Sequence, residues 1–219
     1  IKGKKIDGNK FVSEALEKKS NLTIVNRINK NYPLSKQIKV KNTLNFLTEC
    51  SSIFRNNIDA KIISITGSCG KTTLKDMIGS TLKKICKTTF SPKSFNNKYG
   101  VPLSLFNMKE NDEYGVFEVG MDKKGEIDNL TKILKPDLGI ITNISYAHSK
   151  NFKSINNIAE AKAEIINNIK DHGVIILNMD DNFYDYHKKL ALKKKLKIIS
   201  FGIKNKLLKK KLIKIKKRN

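Results

Sequence analysis

The sequence predicts an α/β fold, a parallel sheet with helices on both faces, and three observations predict it. From residue 61 to 201, short apolar runs alternate with segments of helical period. The first apolar run, "KIISIT", leads through a glycine turn directly into an amphipathic helix. The residues before 60 lack that rhythm, and the first forty read as the remnant of a small α/β unit with its linker. Alternating strands and helices form parallel sheets because each crossover must carry a helix back over a face. Such sheets bind ligands along the edge formed by the carboxyl ends of their strands.

Taken in order, "GNKFVSEALEKK" reads as a short helix and "LTIV" as a strand, with Pro33 in a linker. "NTLNFLTECSSIFRNN" places Leu44, Leu47 and Ile53 as a helix leading into the main domain. After "KIISIT", the segment from Lys71 to Ile85 sets Leu74, Met77, Ile78, Thr81, Leu82 and Ile85 at helical spacing. "YGVFEVG" is a buried strand, and "GEIDNLTKIL" a helix stopped before Pro136. "DLGIITN" is a strand, and "SINNIAEAKAEIINNI" a long helix with Ser154 as its N-cap. "GVIILN", "NFYDYHKKLALKK" and "LKIISFG" close the series as strand, helix and strand. The expected division is a partial N-terminal domain and linker at 1–40, a central domain at 41–203 and a basic tail at 204–219.

The net charge of +24 suggests a nucleic-acid binder at first sight, but its distribution argues otherwise. Fifteen of the 44 basic residues follow Asp185, the last acidic one. Only Arg27, Arg55 and Arg218 are arginines, and no aromatic stacking stretch interleaves with the lysines. Abundant Lys, Asn and Ile point to an AT-rich coding bias, so no nucleic-acid partner is expected. Cys50, Cys69 and Cys86 show no C-x-x-C spacing, which fits free thiols in a reducing cytosol. No apolar run reaches the length of a membrane span, and no signal peptide is visible. The chain begins at Ile1 rather than Met and is expected to be partial.

The chemistry starts in "SITGSCGKTTLKDMI". The common phosphate-loop pattern needs a glycine where this chain has Ile65; the turn falls at Gly67 instead. Gly67 and Gly70 allow a tight turn that presents N–H groups to phosphate, at the positive end of the next helix. Lys71 can reach the β- and γ-phosphates, and the Thr72 hydroxyl can bind Mg²⁺. Glu118 interrupts an apolar run at a strand's carboxyl end, where it either faces water or takes a partner or metal. His148, in the loop after "DLGIITN", is either polar surface or a metal ligand at the same edge. Lys162 lies four residues after Ile158 and three before Ile165, on the inward helix face. It must either snorkel out or, if buried, become a reactive neutral amine.

Together these residues resemble the Mur ligases, ATP-dependent amide-forming enzymes of peptidoglycan synthesis. The matching strings are "ITGSCGKTTLKDMI", "FNNKYGVPLSL", "FEVGMDKKGEI", "PDLGIITNISYAH", "SINNIAEAKAEI" and "GVIILNMDD", across roughly 60 to 202. The resemblance is closest to the branch that adds D-alanyl-D-alanine to UDP-N-acetylmuramoyl-tripeptide, and it implies a P-loop-type central ATPase domain. It further implies that Gly67, Ser68, Gly70, Lys71, Thr72, Thr73 and Asn97 meet the nucleotide. One Mg²⁺ would be held by Thr72 and a second by Glu118 and His148, with Lys162, as a carbamate, in the metal set and helping to position the ion. Lys71, Lys162 and His148 would be catalytic. The tripeptide carboxylate would take the γ-phosphoryl group of ATP, and the D-alanyl-D-alanine amine would then displace phosphate. The residues before 40 resemble the later part of the family's UDP-binding domain.

The resemblance implies a monomeric cytoplasmic enzyme. It also implies one that cannot turn over alone, since the family's adenine-contacting segment and C-terminal domain have no counterpart before "LLKKKLIKIKKRN". The alternatives are another amide ligase of the superfamily, of a different step or of the folylpolyglutamate type, and an inactive ATP-binding remnant.

Overall fold

The computed structural model describes residues 1, 3, 6–146 and 151–203. They divide into two compact units, with the break between Ile53 and Phe54.

In the first unit, helix α1 (Val12–Glu17) precedes strand β1 (Thr23–Val25), which pairs in parallel with β2 (Gln37–Lys39). The Gln37 side chain ties the intervening loop together: its amide donates to the Asn29 carbonyl at 2.9 Å and accepts from the Asn29 N–H at 2.9 Å. A groove of about 430 Å³ opens in this unit, lined by polar side chains that include Asp7, Asn26, Arg27 and Lys30. Helix α2 runs from Thr43 to Asn56.

The second unit is a six-stranded, all-parallel sheet of β3 (Lys61–Thr66), β4 (Thr88–Phe90), β5 (Tyr114–Glu118), β6 (Leu138–Ile141), β7 (Val174–Asn178) and β8 (Lys197–Phe201). Their spatial order is β4-β5-β3-β6-β7-β8. The connections are α3 (Lys71–Leu82), α4 (Gly100–Leu105), α5 (Glu126–Leu134), α6 (Ile155–Asn167) and α7 (Tyr184–Lys193). Chain order reverses around β3, which lies between β5 and β6 and so places its carboxyl end at the switch point.

Strand alternation divides the core in two. Ile65, Val116 and Ile140 meet Leu74, Ile78 and Leu82 of α3 on one face. Ile62, Phe117, Ile141 and Ile175 meet the helices of the other face, including Leu105, Ile127, Ile158 and Ile165. Arg55 closes the far end of this core. Its buried guanidinium donates to the carbonyl of Leu134 at 2.8 Å, an acceptor that the end of α5 leaves open, and to that of Ile58 in the loop after α2 at 2.6 Å.

The expected elements are present, with Ser154 capping α6 through the Asn157 N–H. Two expectations need correction. The three-residue strands β2 and β4 and the short helix α4 carry too little period to stand out. The inward face of α3 is also rotated from the expected one. Met77 and Ile85 are exposed, whereas Lys75 and Gly79 are buried. The cause is Phe90 of β4, whose ring lies so close to Gly79 that a Cβ there would stand 2.5 Å from it. Only glycine lets α3 sit this near the edge strand.

Candidate nucleotide-phosphate and metal site

The loop from Gly67 to Gly70 joins β3 to α3 at the switch point. Gly67 adopts φ +142, and a Cβ on it would fall 1.9 Å from the Thr142 hydroxyl. Gly70 adopts φ +80 with open space around it, so there the backbone angle alone calls for glycine. Gly70 is the N-cap of α3, and the first N–H groups of a helix have no intrahelical partners, which makes them available to an anion.

The other side of the loop is fastened to the end of β6. Ser68 N–H donates to the Asn143 carbonyl at 2.9 Å, and the Ser68 hydroxyl donates to the Ser145 carbonyl at 3.0 Å. The Asn143 side chain pairs with both backbone groups of Cys69, accepting its N–H and donating to its carbonyl, each at 3.1 Å. Thr142 donates to the same carbonyl at 2.7 Å. Asp181, after β7, in turn accepts the Ile144 N–H at 2.6 Å. The Cys69 side chain is exposed, and its position in the site comes from its backbone.

Two lysines converge on the Gly67 carbonyl. Lys71 Nζ donates to it at 2.9 Å and to the Ser68 carbonyl at 3.2 Å. Lys162 Nζ, reaching over from α6, donates to it at 2.9 Å. Lys162 is 1% exposed, and no ion pair reaches it among the described residues. Burial, reinforced by the charge of Lys71, pushes its pKa down to about 7. The inward placement read from Ile158 and Ile165 is therefore observed, and the side chain does not snorkel.

Glu118 approaches from the opposite sheet face. It pairs in register with Ile65, beside the loop, and is 1% exposed. Its Oε2 accepts from the Thr72 hydroxyl at 2.7 Å, and its Oε1 accepts from the Asn96 amide at 2.7 Å. Ser94 Oγ stands 3.3 Å from Thr72 Oγ1. The carboxylate is thus held by neutral donors, without a cation among the described residues. Asn97 does something else: its side-chain Oδ1 accepts the N–H groups of Tyr99 and Gly100, each at 3.0 Å, and so starts α4. His148 lies outside the described residues.

The donor chemistry fits a hard divalent cation. A carboxylate oxygen and a hydroxyl lie side by side next to a loop that presents N–H groups and a lysine, and phosphate oxygens and water would complete the shell. Among the described residues no group of three or more His, Cys, Asp or Glu could hold a metal without such help. Sequence reasoning missed Asn143, Ser94 and Lys75. Asn97 was expected at the nucleotide, whereas it is its neighbour Asn96 that reaches Glu118.

A parallel sheet with a glycine loop, lysine and hydroxyl at its switch point defines a P-loop-type nucleotide-binding domain. The Mur ligase middle domain matches residues 65–219, and the chain belongs to that family. It is 37% identical over 204 residues to a UDP-N-acetylmuramoyl-tripeptide–D-alanyl-D-alanine ligase of Buchnera aphidicola, covering 93% of this chain and 44% of that one. Its fold matches MurF from Acinetobacter baumannii with a TM-score of 0.84 at 34% identity, over 92% of this chain and 44% of that one. It matches MurF ligase from Thermotoga maritima in complex with ADP with a TM-score of 0.82 at 29% identity, over 94% of this chain and 47% of that one. The chain therefore spans somewhat less than half the length of these relatives. Among its described residues no helix is long and apolar enough to cross a membrane.

Proposed function

We propose that this chain is the nucleotide-binding part of an ATP-dependent ligase that joins D-alanyl-D-alanine to UDP-N-acetylmuramoyl-tripeptide, a monomeric cytoplasmic enzyme. The observation that carries this reading is the meeting of Lys71, Thr72 and Glu118 at the switch-point loop, in a chain whose relatives carry that ligase name. The residues at 1–40 would belong to the domain holding the UDP end, and the central domain would run from 41 to 203.

Gly67, Ser68, Gly70, Lys71, Thr72 and Thr73 would hold the ATP phosphates. Lys71 would leave the Gly67 and Ser68 carbonyls for the β- and γ-phosphates, with the Gly67 carbonyl still satisfied by Lys162. Asn97 would lie near the nucleotide by holding the start of α4. Thr72 and Glu118 would hold one Mg²⁺, and His148 and Lys162 belong to the proposed set for a second. Bound Mg²⁺ would neutralise charge on the transferring phosphoryl group.

Lys162 would enter as a carbamate: its neutral amine adds to CO₂ and releases one proton. Burial favours the neutral amine that this addition needs. The hydroxyls of Ser64 and Thr66, buried on the sheet face that α6 covers, have no hydrogen-bond partner among the described residues. They are donors of the kind a carbamate would use.

Calorimetric titration of the chain with ATP and Mg²⁺ tests the site. Binding should be lost in Lys71→Ala, and unchanged binding would remove the loop from the reading. Carbon-13 NMR in labelled bicarbonate tests the carbamate, which should give a resonance absent from Lys162→Met. Identical spectra would exclude it.

A further inference from the structure

Among the described residues Lys75 is the most buried charged side chain of the sheet unit, at 0% exposure. It lies one turn after Lys71 and Thr72 on α3, and neither the phosphate loop nor the hydrophobic core uses its ammonium. Packing alone would favour a methionine or leucine, because a buried ammonium costs stability unless it is held. Lys75 is held at two points: Nζ donates to the Lys93 carbonyl at 2.6 Å and pairs with Asp76 Oδ1 at 3.0 Å.

Lys93 sits at φ +48, a left-handed conformation that a non-glycine residue adopts at some cost. It stands in the first half of the segment between β4 and α4. Before it, Ser91 N–H donates to the Val116 carbonyl at 3.0 Å. After it come Ser94, beside Thr72, and Asn96, whose amide holds Glu118. The Asn96 carbonyl also accepts the Gly120 N–H at 2.8 Å, and a Cβ on Gly120 would stand 2.9 Å from the Asn96 side chain. One buried lysine thus ties the helix bearing Thr72 to the turn bearing Ser94 and Asn96, and that turn holds Glu118.

We propose that Lys75 is a positioning residue for the metal side of the phosphate site, fixing the Lys93 turn so that Ser94 and Asn96 hold the Thr72–Glu118 pair. This inference rests on the reading of Thr72 and Glu118 as metal ligands. It predicts that the Lys75 ammonium acts through Asn96 on the metal, and not on the phosphate grip of Lys71.

The test is Mn²⁺ binding followed by electron paramagnetic resonance, in the presence of ATP, for wild type, Lys75→Met, Asn96→Ala and the double variant. Lys75→Met should weaken Mn²⁺ by about 10- to 100-fold, as loss of a group supporting a ligand does. ATP affinity measured in EDTA should stay within about twofold. The double variant should be no weaker than the worse single variant, because both losses act through one path. Additive effects, or an equal loss of metal-free ATP, would overturn the proposal.

If wild type binds neither ATP nor Mn²⁺, the ligase reading fails on its own, and hydrogen exchange then decides about Lys75. The Gly120 amide, bonded to Asn96, should exchange faster in Lys75→Met; unchanged exchange would sink the inference. If Lys75→Met does not fold, Lys75→Gln carries the same comparison. Should that variant also be unfolded, Lys75 is a stability residue and the proposal falls.

Discussion

Replacing Lys162 by methionine should stabilise the protein, and the gain should shrink as pH rises. The native amine has a pKa of about 7 against an ordinary 10.5, because burial and the neighbouring Lys71 disfavour its charge. Below pH 7 both native and unfolded chains carry the proton, and the full cost of the buried ammonium is present. Between about 7 and 10.5 the unfolded chain binds more protons than the native one, so stability rises with pH. Linkage gives a cost on the order of 4 kcal/mol at pH 7 and about 2 kcal/mol at pH 9. Lys162→Met removes that cost and keeps the apolar stem, so its advantage over wild type should fall by about 2 kcal/mol between those two pH values. Urea denaturation in CO₂-depleted buffer measures it, followed by far-UV circular dichroism because the chain has no tryptophan. Comparing variant with wild type cancels the other titrating groups. An advantage independent of pH, or one that grows with pH, would refute the reading of Lys162 as a buried amine with a lowered pKa.

Gly67→Ala should cost about 3 kcal/mol or more, since it combines an unfavourable φ with a clash against Thr142. Gly70→Ala, with open space around it, should cost only about 1 kcal/mol; thermal melts in which Gly70→Ala is the more damaging would contradict this. Glu118→Gln keeps the side chain's shape and should change stability by under about 1 kcal/mol while weakening Mn²⁺ at least about tenfold. Equal metal affinity in that variant would exclude Glu118 as a ligand. Arg55→Met leaves the carbonyls of Leu134 and Ile58 without their donor and should cost about 3 kcal/mol in urea denaturation. A loss under about 0.5 kcal/mol would show those acceptors to be satisfied in another way.

The parts of the site that were legible in the sequence are those whose signal is local. The glycine turn follows a strand and opens a helix, and Lys162 falls between isoleucines at helical spacing. Glu118 shows itself as one charge in an apolar strand. The support of the loop was not legible, because Asn143 and Ser145 reach it from more than seventy residues away in sequence. The neighbours Asn96 and Asn97 look equivalent as letters, yet one faces Glu118 and the other starts a helix. The inward face of α3 was misread because its apolar period competes with a glycine packed on Phe90 and with a buried lysine. A periodicity rule scores that lysine as solvent-facing.

A crystal structure with ADP and Mn²⁺, phased on the manganese anomalous signal, tests the phosphate-and-metal site most directly. A peak within roughly 2.2 Å of Thr72 Oγ1, at metal-ligand distance, is expected beside Glu118, with the β-phosphate on the first N–H groups of α3 and on Lys71. A nucleotide bound elsewhere, or a manganese that touches neither Thr72 nor Glu118, would contradict it.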